Sequence, residues 1–207
     1  MASEKLKGRR VAFLATDGVE ESELVKPWEA VVEAGASPEL VSIKAGEIQS
    51  ESHGEKARKF KVDRLIADVS ERDYDALVLP GGVKNPDKLR MNPKAVEFVR
   101  AFMEADKPVG AICHGPWMLV EAGCVQGRTL TSYPSLQTDI RNAGGDWVDR
   151  TVASDQKLVT SRNPDDLPAF GRAVVESIAN GIAERALDRT IEQSFPASDP
   201  APGPTSI

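Results

Sequence analysis

Histidine and cysteine are scarce in this chain, two of each among 207 residues, and the four residues are His53, His114, Cys113 and Cys124. Two histidines and two cysteines without a paired ligand spacing do not assemble a structural zinc site, so no metal is expected. The cysteines lie on either side of a predicted helix. A helix of about seven residues already separates its ends by ~10 Å, which is beyond disulfide reach, so both are expected as reduced thiols. Long apolar runs are also missing: no stretch approaches the roughly eighteen residues of a membrane span. The start, MASEKLKGRR, is charged but lacks an apolar segment after it, so a cytoplasmic location is expected. A formal charge of −6 supplies no basic excess, which argues against nucleic acid as a partner but leaves a small substrate open. No internal repeat is visible.

What is present is ordinary for a soluble globular protein, with 41% hydrophobic and 28% charged residues in a length that suits one domain. Residues 9–15 (RRVAFLA) form a continuous apolar stretch, as expected of a strand covered on both faces in a parallel sheet. A turn at Thr16-Asp17-Gly18 leads into a helix over residues 19–34, kinked or interrupted at Pro27 and closed by Gly35. Strands follow at residues 38–43 and 74–79, with a hairpin or loop excursion at 44–61 and a weak strand signal at 62–66. A helix at 93–104 carries Pro93 in its first turn after Asn92 as cap. Beyond the strand at 109–112 come strands at 127–131 and 157–160, a short helix at 136–143, and a helix at 167–187. In this last helix Phe170, Val174, Ile178 and Ile182 recur at four-residue intervals. Residues 191–207 hold four prolines and read as an extended or disordered tail. The expected organisation is an N-terminal extension (1–9), an α/β domain with a mostly parallel sheet (10–187) and a proline-rich tail (188–207).

The chemistry is expected in KPVGAICHGPWMLVEAG, residues 107–123, where an apolar strand stops at Cys113-His114-Gly115 and a helical pattern begins. A cysteine at such a corner is held in an uncommon backbone conformation, and a helix starting just after it favours the thiolate. The alternative is a small buried hydrophobe, which is what most free cysteines are. In a parallel sheet, ligands sit beyond the carboxyl ends of strands. Three loops meet there: Asp17-Gly18-Val19-Glu20, Pro80-Gly81-Gly82 and Cys113-His114.

LATDGVEESEL, DALVLPGG, KPVGAICHGPWMLVEAG, TSYPSLQTDIRNAG and LVTSRNPDDLPAF, in this order and spacing, resemble the PfpI branch of the ThiJ/PfpI (DJ-one) superfamily over about residues 10–183. The resemblance implies a flavodoxin-like three-layer α/β sandwich, similar to class I glutamine amidotransferases, a homo-oligomer (dimer or hexamer) and a cysteine-dependent activity without cofactor. It matches Cys113 to the nucleophile, Glu20 to the acid contacting the sulfur, and His114 to the general base or acid. The backbone amides of Gly82 and His114 match the oxyanion donors. Asp87 stands where the family has a glutamate that orients the histidine from a neighbouring subunit, with one residue inserted before it. Gly81 and Tyr133 fall near the pocket, and His53 in SHG lies close to a family KHG. On physical grounds a carboxylate beside the sulfur disfavours a thiolate, so Glu20 is expected to be protonated or to share a proton with it. Glu21 and Glu23 read as solvated helix charges. Each residue keeps a plainer alternative: Glu20 as a dipole-favoured helix start, His114 as a turn residue, Asp87 as a surface charge, Tyr133 as a loop aromatic.

Two chemistries use these parts. The thiolate attacks a small carbonyl compound such as methylglyoxal or glyoxal, or its adduct on protein or nucleic acid, giving deglycase or glyoxalase activity. Otherwise it attacks a peptide carbonyl, as an intracellular peptidase. The first asks for a small pocket and the second for a groove, and the sequence supplies no groove. A third reading makes Cys113 an oxidation sensor with a protective or chaperone-like role in stress.

Overall fold

The computed structural model describes residues 4–194. The strands are β1 (Arg10–Leu14), β2 (Val19–Glu20), β3 (Ser37–Ser42), β4 (Glu47–Ser52), β5 (Glu55–Lys61), β6 (Arg64–Leu65), β7 (Ala76–Leu79), β8 (Val109–Ile112), β9 (Thr129–Leu130), β10 (Asp146–Trp147), β11 (Val152–Asp155) and β12 (Leu158–Ser161). The α-helices are α1 (Glu21–Glu33), α2 (Lys84–Arg90), α3 (Pro93–Glu104), α4 (Trp117–Glu121), α5 (Gln137–Asn142) and α6 (Leu167–Ser194).

Seven strands form the central sheet in the order β11-β12-β8-β7-β1-β3-β6, and every pairing is parallel except β11 with β12. The run of apolar residues in β1 is explained by helices on both faces. Ala12 and Leu14 point into one core with Leu77, Leu79, Val109 and Ala111, covered by α3 and α4 through Phe98, Phe102, Met118 and Leu119. Val11 and Phe13 point into the other with Val78, Ile112 and Val159, covered by α1 and α6 through Leu24, Val31, Phe170, Val174 and Ile178. Burial of each such side chain contributes roughly 1.5–3 kcal/mol relative to exposure. The chain is therefore a three-layer α/β sandwich, as expected. The position of Ile182 lies outside the described side chains.

Local signals also hold at several points. Gly35 takes φ +96° as α1 ends, and Asn92 Oδ1 accepts from the Ala95 amide at 3.2 Å to cap α3. The excursion is a hairpin, β4 against β5, with β2 added to it in parallel. Pro27 neither ends nor interrupts α1, which continues around it with the ring buried. Residues 4–9 are not a loose extension, because Leu6 is fully buried and its amide donates to Ala34 O at 2.8 Å. α6 runs to Ser194, beyond the predicted end, so the first residues of the expected tail are helical and its remainder lies outside the described residues. The helix α2 and the strand β11 have no counterpart in the sequence reading. Among the described residues no helix is long and apolar enough to cross a membrane.

Candidate active site

Three loops converge at the carboxyl ends of β1, β7 and β8, and a buried asparagine ties two of them together. Asn85, at the start of α2, accepts from the Thr16 amide at 2.8 Å and donates to the carbonyls of Pro80 and Gly81 at 2.9 and 3.1 Å. Gly82 takes φ +76°, and a Cβ there would lie 2.4 Å from Gly18 O, so the second glycine is required by both conformation and space.

Cys113 occupies the corner after β8 with φ +60°, a strained conformation for a residue with a side chain. It is held by its amide, which donates to Ser161 O at 3.0 Å, and by its carbonyl, which accepts from the Tyr133 amide at 2.8 Å. Gly115 makes the bend possible, since a Cβ there would sit 2.3 Å from Leu79 O. The helix does not begin at the cysteine as expected. Residues 113–116 are a turn and α4 starts at Trp117, five residues long, so a helix dipole is not what supports negative charge on the sulfur. Two individual amides do so instead: those of Gly82 and His114 hydrogen-bond the sulfur. These are the two amides expected to form the oxyanion hole.

The acid beside the sulfur is Glu23, not Glu20. Glu23 is fully buried, its side chain is hydrogen-bonded with Cys113, and its Oε2 accepts from the Gly81 amide at 3.0 Å. Glu20 belongs to β2, whose pairing with β4 turns its carboxylate toward the hairpin, where it accepts from the His53 amide at 3.1 Å and the Ser22 hydroxyl at 3.4 Å. Glu21 is not simply solvated either, since it accepts from Ser50 Oγ and pairs with Arg58, both at 2.9 Å. Glu23 is recoverable from the sequence as part of the buried stripe Glu23, Leu24, Pro27 and Val31, one face of α1.

Burial raises the Glu23 carboxyl to about 7, although its hydrogen bonds with Cys113 and the Gly81 amide act against the shift. Burial also pushes the Cys113 thiol up, and the facing Glu23 adds to this, while the Gly82 and His114 amides pull it down. The pair therefore behaves as one site that keeps a shared proton near neutral pH. Glu23 Oε1 is buried with no hydrogen-bond partner among the described residues, a costly arrangement for an anion.

His114 lies against this pair, with Nδ1 3.2 Å from Cys113 Sγ and Nε2 3.2 Å from Ser135 Oγ. Its ring stacks on Tyr133 at 4.8 Å and meets the edge of Trp117 at 5.5 Å. Burial holds its pKa below the usual imidazole value, which keeps it neutral and able to accept a proton. Asp87 is exposed on α2, and among the described residues no hydrogen bond or ion pair joins it to His114. His53 is exposed in the hairpin turn with φ +51°. Sequence reasoning missed Glu23, Asn85 and Ser135.

A strained cysteine on a strand-to-helix corner, with two amides toward its sulfur, a buried acid and a neutral histidine, has the arrangement a candidate cysteine-nucleophile site on an α/β sandwich needs. The sequence pattern of the DJ-1/PfpI family matches residues 9–177, and the chain belongs to that family. It is 43% identical over 164 residues to the candidate cysteine protease YraA of Bacillus subtilis, covering 79% of this chain and 95% of that one. It is 40% identical over 167 residues to the deglycase PfpI of Pyrococcus furiosus, covering 81% and 98%. Among solved structures, a two-domain protein from Anabaena variabilis with DJ-1/ThiJ/PfpI-like and ferritin-like domains superposes with a TM-score of 0.78 at 32% identity, over 84% of this chain and 49% of that protein.

Proposed function

We propose that this chain is a cysteine-dependent hydrolase that acts on small reactive carbonyl compounds, methylglyoxal or glyoxal and their adducts, as a deglycase or glyoxalase. The observation that carries this reading is the access to the sulfur. Cys113 and His114 are each only 7% exposed, which suits a two- or three-carbon aldehyde rather than an extended peptide chain. The similarity to a relative named as a deglycase supports this reading, and the relative named as a candidate cysteine protease keeps the peptidase as the second one.

In this mechanism the shared proton rests on Glu23 and the Cys113 thiolate attacks the aldehyde carbon. The carbonyl electron pair moves to oxygen, where the Gly82 and His114 amides receive it. His114 removes the proton from the former aldehyde carbon and returns it to the adjacent carbon, which converts the thiohemiacetal into a lactoyl thioester. Water then cleaves the thioester and releases lactate. Methylglyoxal plus water becomes lactate, so the oxidation of one carbon is balanced by reduction of its neighbour and no redox partner is needed. With an adduct, the repaired amine or thiol leaves as the substrate's other half.

The protein acts in the cytoplasm in this reading, where Cys113 and Cys124 stay reduced. It acts as a homo-oligomer, for which α2 offers a face: Val83 and Met91, 55% and 81% exposed, flank Asp87 at four-residue spacing. The test is lactate formation from methylglyoxal, and release of free amine from methylglyoxal-treated protein, by wild type and Cys113→Ala. Turnover that depends on Cys113 is expected. Equal clearance by the two proteins overturns the assignment.

A further inference from the structure

The first residue of α4 meets the histidine through both its backbone and its ring. The Trp117 amide donates to the His114 carbonyl at 3.0 Å, and the indole meets the imidazole at a steep angle, with planes inclined by 64° and centroids 5.5 Å apart. We infer that Trp117 is a positioning residue for His114, and that Asp139 and Arg90 act on the reaction by fixing the indole. This rests on the reading of Cys113 and His114 as the reacting pair.

The indole is tied down from two other helices. Its Nε1 donates to Asp139 Oδ2, on α5, at 2.7 Å, a short bond to a charged acceptor. The Arg90 guanidinium, on α2, lies 5.3 Å from the ring centroid, and Glu121 Oε2 accepts from Arg90 Nε and from one of its terminal nitrogens at 2.9 and 2.8 Å. The remainder of the ring packs against the core covered by α3 and α4. Each polar contact is open to solvent and modest alone, but together they leave the indole one orientation.

His114 needs such a limit, because Nδ1 stands 3.2 Å from Cys113 Sγ at only one setting of its side-chain torsions. Tyr133 stacks on the imidazole with planes inclined by 23°, a contact along which the ring can still slide. A neighbour set at 64° blocks that slide. The indole also covers the ring, and burial is what lowers the His114 pKa. The titratable and charged groups that face the imidazole or its neighbours are Cys113 with Glu23 beside it, Tyr133 on the stacked face, and Arg90, Glu121 and Asp139 around the indole. The last three bear on His114 through the indole that they hold.

The test uses full-length protein and two measurements, the His114 pKa from NMR of its ring carbons without substrate, and kcat and KM for methylglyoxal. Asp139→Ala frees the indole nitrogen and is expected to raise the His114 pKa, changing the ratio of protonated to neutral imidazole about threefold, a shift of roughly half a pH unit. Loss of a negative charge alone would lower that pKa, so the sign separates release of the indole from electrostatics. The same variant is expected to lower kcat about tenfold with KM within about twofold. Asp139→Asn keeps an acceptor without the charge and is expected to stay close to wild type in both measurements, whereas Trp117→Ala is expected to exceed Asp139→Ala. An unchanged His114 pKa in Asp139→Ala and Trp117→Ala, equal changes in Asp139→Ala and Asp139→Asn, or an effect confined to KM overturns the inference. If the NMR results are as expected while wild type does not turn over methylglyoxal, the assigned activity fails and the role of Trp117 stands.

Discussion

Glu23 and Cys113, ninety residues apart in sequence, are hydrogen-bonded at the carboxyl end of the sheet, and the carboxyl is raised to about 7. Burial alone would leave both groups neutral. The amides of Gly82 and His114 on the sulfur and of Gly81 on the carboxyl favour removal of one proton from the pair. Glu23 Oε1 has no donor among the described residues, which favours leaving the remaining proton on Glu23.

Replacement of Glu23 by glutamine removes the group that takes the proton. The inflection of Cys113 alkylation near neutrality is expected to be lost and the thiol's own inflection to move to lower pH, because the facing carboxylate is one of the causes that raise it. Glu20→Gln is expected to leave the profile close to wild type. The same loss in both variants, or in neither, would show that Glu23 does not control the sulfur.

Stability is expected to depend on pH through Glu23. Its carboxyl is near 4.5 when unfolded and about 7 when folded, so the folded chain binds the proton more tightly. This contribution is fully present below about pH 4.5 and is lost as pH rises through 7, on the order of 3 kcal/mol in total. His114, lowered by burial, acts in the opposite sense, because its contribution is present above the usual imidazole value and lost as pH falls. Urea unfolding from pH 5 to 8 should therefore show wild type losing stability relative to Glu23→Gln as pH rises. Parallel curves would contradict the burial of an ionising Glu23.

Gly115→Ala is expected to destabilise the protein by about 3 kcal/mol or more, since the added carbon would meet Leu79 O at 2.3 Å. Gly123→Ala is the control for a glycine with open space around it and a cost from its φ of +71° alone. Calorimetry should place Gly115→Ala well below Gly123→Ala. Equal melting temperatures would mean that the corner relaxes freely.

Asn85→Ala removes three hydrogen bonds that link the β1 loop to the loop after β7, and leaves the Thr16 amide and two carbonyls without that partner. A loss of about 2–4 kcal/mol is expected, together with slower Cys113 alkylation because Gly82 is no longer held under the sulfur. A stability loss with unchanged alkylation would limit Asn85 to a structural role.

The mostly parallel sheet and the corner at Cys113 were legible because they rest on local patterns: continuous apolar strands and a Cys-His-Gly break. The acid was misplaced by one turn of helix. Three carboxylates, Glu20, Glu21 and Glu23, sit within four residues, and residue type cannot separate them. The choice depends on a two-residue strand, β2, that exists only by pairing with β4. Ser135 and Asn85 were invisible for a related reason, because a serine in a turn and an asparagine near a helix start usually serve their own backbone. Here both reach groups far away in sequence.

The central sheet ends in small margins. One border is β6, two residues long, and the other is β11, four residues turned against its neighbours. Neither border offers a template long enough for another chain to extend this sheet, so the layer under the Cys113 corner is closed to added strands on both sides.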